Sequence, residues 1–129
     1  MDIPSILTAA IIAAASPAAE SVESLARIGD AEIASLDAQG IQSRGGLRRF
    51  DVRVSWPDAQ KRPAGAAPDR VVRYLAHCGQ GTMALSAVAT IDDNGRMMKT
   101  YVVPPGASAF AAPDAGSREA GWLEAACRR

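Results

Sequence analysis

From residue 47 onward, apolar and polar side chains alternate with the period of a strand. Over residues 47–56, Phe50, Val52, Val54 and Trp56 interleave with Arg49, Asp51, Arg53 and Ser55. That spacing predicts a strand with one face in a core and one in water. Residues 71–78 predict a second strand, with Val72, Tyr74, Ala76 and Cys78 on one face and Val71, Arg73, Leu75 and His77 on the other. Residues 82–91 and 97–103 are two further β-like runs separated by Asp92-Asp93-Asn94-Gly95. An Asn-Gly pair between such runs predicts an antiparallel hairpin, with Asn94 and Gly95 as the central pair of a type I′ turn, where both positions need positive φ. Upstream, residues 25–28 and 32–36 are short strand candidates on either side of Gly29-Asp30.

The segments between these runs are legible as connections. Residues 57–69 hold three prolines, a glycine and several alanines, and residues 104–116 have the same character, so neither is expected to be a central strand or a stable helix. Ser117 is placed to cap a terminal helix running to about Arg128. Ala120, Leu123 and Cys127 share one stripe of that helix, and Arg128 and Arg129 lie at the negative end of its dipole. The expected fold class is α+β: a small antiparallel meander with a C-terminal α-helix packed on one face.

The first residues differ from the rest. Residues 3–12 are largely apolar, too short for a membrane span of about 20 residues, and small residues follow around Pro17. This predicts a signal peptide over residues 1–19, cleaved after Ala15, Ala18 or Ala19, and a single domain over residues 20–129. The n-region lacks Lys and Arg and no lipobox cysteine follows. The competing reading is an alanine-rich N-terminal helix of a cytosolic protein, since alanine is the best helix former.

Composition narrows the function classes. Fourteen basic residues balance fourteen acidic ones, so no overall field draws in nucleic acid or an anionic membrane. Hydrophobic residues make up 48% of the chain, yet it has only two each of Trp, Tyr and Phe. Much of the apolar content is therefore alanine, which buries little area per residue. Two cysteines far apart suit one structural bridge, Cys78 to Cys127, in an oxidising compartment, and by themselves cannot build a zinc site. Closing a loop of about 50 residues stabilises a fold by roughly 4 kcal/mol on the chain-entropy account. Two buried reduced thiols are the alternative.

No catalytic or cofactor constellation emerges. His77 and Cys78 are neighbours in a strand and point to opposite faces, so they do not form a base and nucleophile pair. As a metal ligand, the lone His77 needs carboxylates such as Asp92 and Asp93 to complete a site. Asp92 to Gly95 lacks the distal ligands of a calcium loop, and Gly79-Gln80-Gly81 is too short for a phosphate cradle. Arg48, Arg49, Arg53, Arg70 and Arg73 are candidates for one basic face if their strands are neighbours, although such a row is usually only the solvated side of a sheet. The chain is therefore expected to be no enzyme, to need no cofactor or metal, and to meet another protein through a sheet face or loops. A small periplasmic pocket protein, ligand-binding or hydrolytic, is the alternative.

The run Tyr74-Leu75-Ala76-His77-Cys78, then Asp93-Asn94-Gly95-Arg96, Tyr101-Val102-Val103 with Pro104-Pro105-Gly106, and Trp122-Leu123-Glu124-Ala125-Ala126-Cys127 resembles the surface-adhesin protein E family. The resemblance covers about 100 residues and rests on the order and spacing of these motifs. It implies a small antiparallel sheet with a C-terminal helix and a Cys-Cys bridge, periplasmic or surface placement, and adhesion to host proteins. It carries over no binding motif.

Overall fold

The computed structural model describes residues 17–104, 106–107 and 109–128. The apolar stretch of the expected leader, residues 3–12, lies outside them, as do the cleavage candidate Ala15 and Arg129. Helix α1 (Pro17–Ala26) comes first, followed by β1 (Ile33–Leu36), β2 (Gln42–Arg44), β3 (Leu47–Ser55), β4 (Asp69–His77), β5 (Thr82–Ile91), β6 (Met97–Val102) and helix α2 (Arg118–Arg128). The strands form one six-stranded sheet ordered β1-β3-β4-β5-β6, all pairs antiparallel. Strand β2 shares the outer side of β3 with β1. It pairs with Leu47–Arg49 while β1 pairs with Val52–Ser55, so the edge is one line interrupted by a 3-10 turn over Ala38–Gly40. Asp37 caps that turn, accepting from the N–H groups of Gln39 and Gly40.

The meander β3 to β6 follows from the alternation. Phe50 lies opposite Tyr74, Val52 opposite Val72, and Val72 opposite Val88, so one row of apolar side chains crosses the sheet on one face. Phe50, Val52, Val54, Val72 and Val88 are fully buried. Both helices cover that face. Helix α1 lies over β5 and β6, and α2 lies over β3 and β4. Val22 from α1 and Trp122, Leu123 and Ala126 from α2 complete the core. Phe50 and Tyr74 stack with centroids 5.5 Å apart, and Tyr74 meets Trp122 at 6.0 Å. These ring pairs add aromatic packing to a core built mostly from valine.

Several details correct the expectations from sequence. Residues 25–28 are no strand: Leu25 and Ala26 end α1, where Val22, Leu25 and Ala26 take the i, i+3, i+4 spacing of a helix face turned to the sheet. The second candidate, residues 32–36, contains β1. Strand β2 was not anticipated, because all three of its residues are exposed and show no alternation. It is set by the tight turn at Gly45 and Gly46, whose φ values of 56° and 82° only glycine adopts readily.

The β5–β6 hairpin forms where expected, with different turn chemistry. Gly95 N–H donates to Asp92 O at 3.0 Å, which makes Asp93 and Asn94 the central residues and places Gly95, at φ 80°, after them. This is a type I turn closed by a left-handed glycine bulge instead of a two-residue type I′ turn. The Asp92 carboxylate selects it by accepting from the N–H groups of both Asn94 and Arg96 at 2.9 Å.

At the C-terminus, Ser117 caps α2 by accepting from Ala120 N–H at 3.1 Å. Cys78, just past the end of β4, is bonded to Cys127 in the last turn of α2, with Cα atoms 5.5 Å apart. Among the described residues no helix is long and apolar enough to cross a membrane.

Candidate interaction surface

The register divides the arginines between the two faces of the sheet. On the helix-covered face, Arg48 donates to Ala126 O at 3.0 Å, so it satisfies a carbonyl at the end of α2. Arg70 does the same for α1. Its guanidinium donates to Leu25 O and Arg27 O, each at 2.6 Å, and to both carboxylate oxygens of Glu32. A cation at the C-terminal end of a helix meets orphan carbonyls and the negative end of the dipole. Arg49, Arg53 and Arg73 point to the other face. The five arginines that were candidates for one basic face are thus split between the two faces, because strand neighbours alternate sides and the helices claim one of them.

Glu32 is nearly buried, with a side chain 4% exposed. Burial by itself would raise its carboxyl, but the hydrogen bonds from Arg70 and from Gly29 N–H, together with the Arg70 charge, hold it below the ordinary glutamate value. Burial pushes the Tyr74 hydroxyl up to about 12, with a further rise from Glu119 and a counteracting effect of Arg118. Glu32 and Arg70 border a cleft of about 450 Å³ between the end of α1, residues 65–67 and strands β5 and β6. Arg27 and Lys99 stand at this cleft with no acidic partner among the described residues.

Among the described residues, no helix packs on the opposite face. Across its middle, Val71 pairs with Ala89 and Leu75 with Ala84, and Ala87 lies opposite Val102. Val102 is 58% exposed, and at the margins Met97 and Ile33 are 68% and 52% exposed. Charged side chains cross this apolar strip. Arg73 grips Asp51 on the neighbouring strand through two bonds of 2.8 and 3.1 Å, and the Asp51 hydrogen bond holds the guanidinium firmly protonated. Arg53 pairs with Asp69 at 2.8 Å. At the β2–β3 end lies a groove of about 350 Å³, lined by Arg44, Leu47, Arg49, Arg73, Leu75 and Ser86. There Arg49 donates only to the neutral Gln42 amide, and Arg44 has no acidic partner among the described residues.

Residues singled out for chemistry stand apart. His77 pairs with Thr82 at the start of β5, whereas Asp92 follows its far end, so these groups do not converge on a metal. The His77 ring lies edge-on to Phe110 at 6.5 Å, and its Nδ1 is buried without a hydrogen-bond partner among the described residues. Asp93 faces Arg62 at 3.5 Å. Gly79-Gln80-Gly81 forms the turn between β4 and β5, with Gln80 N–H donating to His77 O and Gly81 N–H to Cys78 O. Among the described residues no three or more His, Cys, Asp and Glu side chains gather in a way that suits a metal ion.

The sequence reading missed Arg44, Gln42 and the groove they help form. The available signal was Gly45-Gly46 between two short runs, which is itself a hairpin cue. Comparison with family models, with curated proteins and with solved structures gave no match.

Proposed function

We propose that this chain is a non-catalytic interaction module of the cell envelope, exported to an oxidising compartment, that binds another protein through the face of its sheet that neither described helix covers. The observation that carries this reading is the one-sided cover: both described helices occupy one face, while the other presents Val71, Leu75, Ala87, Ala89 and Val102 among arginines of which some have an acidic partner among the described residues and some do not. A contiguous apolar strip rimmed by charge is the usual composition of a protein-binding patch. The bridge between Cys78 and Cys127 supports an oxidising compartment, because such bonds persist there and are reduced in the cytosol of most cells. The resemblance to surface-adhesin protein E adds the expectation of periplasmic or surface placement.

A pocket protein that holds or hydrolyses a small ligand is the second reading, and the 450 Å³ cleft beside α1 favours it by size. Its buried polar groups, Glu32 and Arg70, are already engaged in closing the end of α1, so the reading ranks behind the first.

The experiment is capture from an envelope extract with the oxidised full chain as bait, compared with Ala89→Glu and Val102→Glu on the open face and Glu124→Gln on α2. Loss of a captured protein with the first two variants and its retention with the third is the expected result. Capture indifferent to both open-face substitutions, in variants that melt like the parent, would remove the basis for the proposal. Export has its own check: the intact mass of protein recovered outside the cytoplasm is expected to begin near residues 16–20, and a product starting at Met1 in that fraction counts against it.

A further inference from the structure

We infer that the groove at the β2–β3 end of the open face takes an acidic protein segment in extended conformation, with a carboxylate on Arg44 and Arg49 and an apolar side chain on Leu47 and Leu75. This rests on the reading of the open face as the interaction surface and names the chemistry of its partner.

The chain has no formal net charge, so a positive surplus on one patch is local. On the open face the carboxylates of Asp51 and Asp69 are engaged by Arg73 and Arg53. Arg49 and Arg44 are left with one neutral amide between them, Gln42, which lies directly opposite Arg49 in the β2–β3 register. Two guanidiniums line one groove, neither with a carboxylate among the described residues, and each offers a planar multi-donor fork suited to carboxylate oxygens.

The floor supplies the second half. Leu47 lies opposite Arg44 across the Gly45-Gly46 turn, and Leu75 lies opposite Arg49 on β4, so each arginine has an aliphatic neighbour in register. All four side chains, with Arg73 and Ser86, line the same 350 Å³ groove. That volume admits two or three side chains and not a folded surface. An extended segment presents side chains i and i+2 to one side about 7 Å apart, so acidic–x–apolar is the pattern that fits an arginine beside a leucine. Partial desolvation between Leu47 and Leu75 strengthens the ion pair relative to one in open water. The groove sits next to the outer edge of β2, where such a segment can run alongside the sheet.

The test uses fluorescence anisotropy with the oxidised full chain and a labelled twelve-residue peptide repeating Glu-Ser-Leu-Ser, at about 50 mM salt where surface charge is weakly screened. Binding is expected, with affinity at least tenfold lower for the Arg44→Ala/Arg49→Ala double variant and for a peptide carrying Gln in place of Glu. Lys99→Ala, which removes a cation from the opposite side, is expected to leave the affinity within twofold. The double variant alters side chains that contribute nothing to the core, and a melting curve matching the parent confirms that it folds.

No detectable binding, equal binding of the Glu and Gln peptides, or equal weakening by Lys99→Ala overturns the assignment. A concentration-dependent dimer lost in the double variant also overturns it, giving the groove to a second copy of the chain. The two readings fail separately. Envelope capture that depends on Ala89 and Val102 but not on Arg44 and Arg49 keeps the open face as the interaction surface and removes the acidic segment.

Discussion

Arg70 and Glu32 meet as a two-point ion pair almost out of reach of solvent, with side chains 11% and 4% exposed. Thirty-eight residues separate them in sequence, and the same guanidinium also closes the last carbonyls of α1. One side chain on a central strand thereby fixes the end of a helix, the following turn and the approach to β1.

Removing one partner of this pair is expected to be costly. Arg70→Ala leaves Glu32 buried without its cation and three acceptors without a donor, which should lower stability by about 3–5 kcal/mol. Denaturant midpoints measure the loss, and hydrogen exchange should find α1 the first element to gain mobility. A variant as stable as the parent would mean that water or another side chain replaces the guanidinium.

The same pair sets an acid limb. The Glu32 carboxyl is held below its ordinary value, so its contribution is fully present above the unfolded value of about 4.3 and is lost as pH falls through the lower folded value. Glu32→Gln is therefore expected to flatten the decline of stability in that acid range while lowering the plateau at neutral pH. Melting temperatures taken every half pH unit decide it, and an unchanged acid slope speaks against the linkage.

The bond between Cys78 and Cys127 joins the end of β4 to the last turn of α2. Reduction, or Cys78→Ser, is expected to loosen α2 first and to cost roughly 2–5 kcal/mol, the usual range for a small bridged domain. Calorimetry with and without reductant gives the magnitude. Two reactive thiols in unfolded, non-reduced protein taken from an oxidising compartment would deny both the bridge and the export reading.

Gly95 sits at φ 80° with nothing within 4 Å of where a Cβ would stand. Gly95→Val therefore meets no clash with a neighbouring element, and its cost is the backbone conformation alone, about 1 kcal/mol or more for a β-branched residue at positive φ. Equal denaturation midpoints for variant and parent would show that the turn re-forms another way.

Local chemistry made much of this fold legible. The alternation from Phe50 to Val54 and from Val72 to Ala76 required a sheet with one buried face, because side-chain direction in a strand depends only on position parity. Ser117 and the Leu123–Cys127 spacing required a capped helix with its cysteine turned inward. The turn residues Asp92 to Gly95 announced a hairpin, since glycine alone takes the left-handed position cheaply. The open face was only partly legible: Arg49, Arg53 and Arg73 were visible as a row, but not their separation from Arg48 and Arg70.

By itself, then, the sequence determined the strands β3 to β6, the terminal helix and the two cysteines available for a bridge, all features governed by neighbours a few residues apart. Tertiary structure decided that residues 25 and 26 belong to a helix, because an apolar run that short acquires its period from the surface it packs on. It decided that Glu32 belongs to Arg70, and that Arg44 and Arg49 have no carboxylate partner among the described residues. Partners that far apart in sequence are chosen by strand register and by which face the helices cover, and neither is written in the spacing of any single segment.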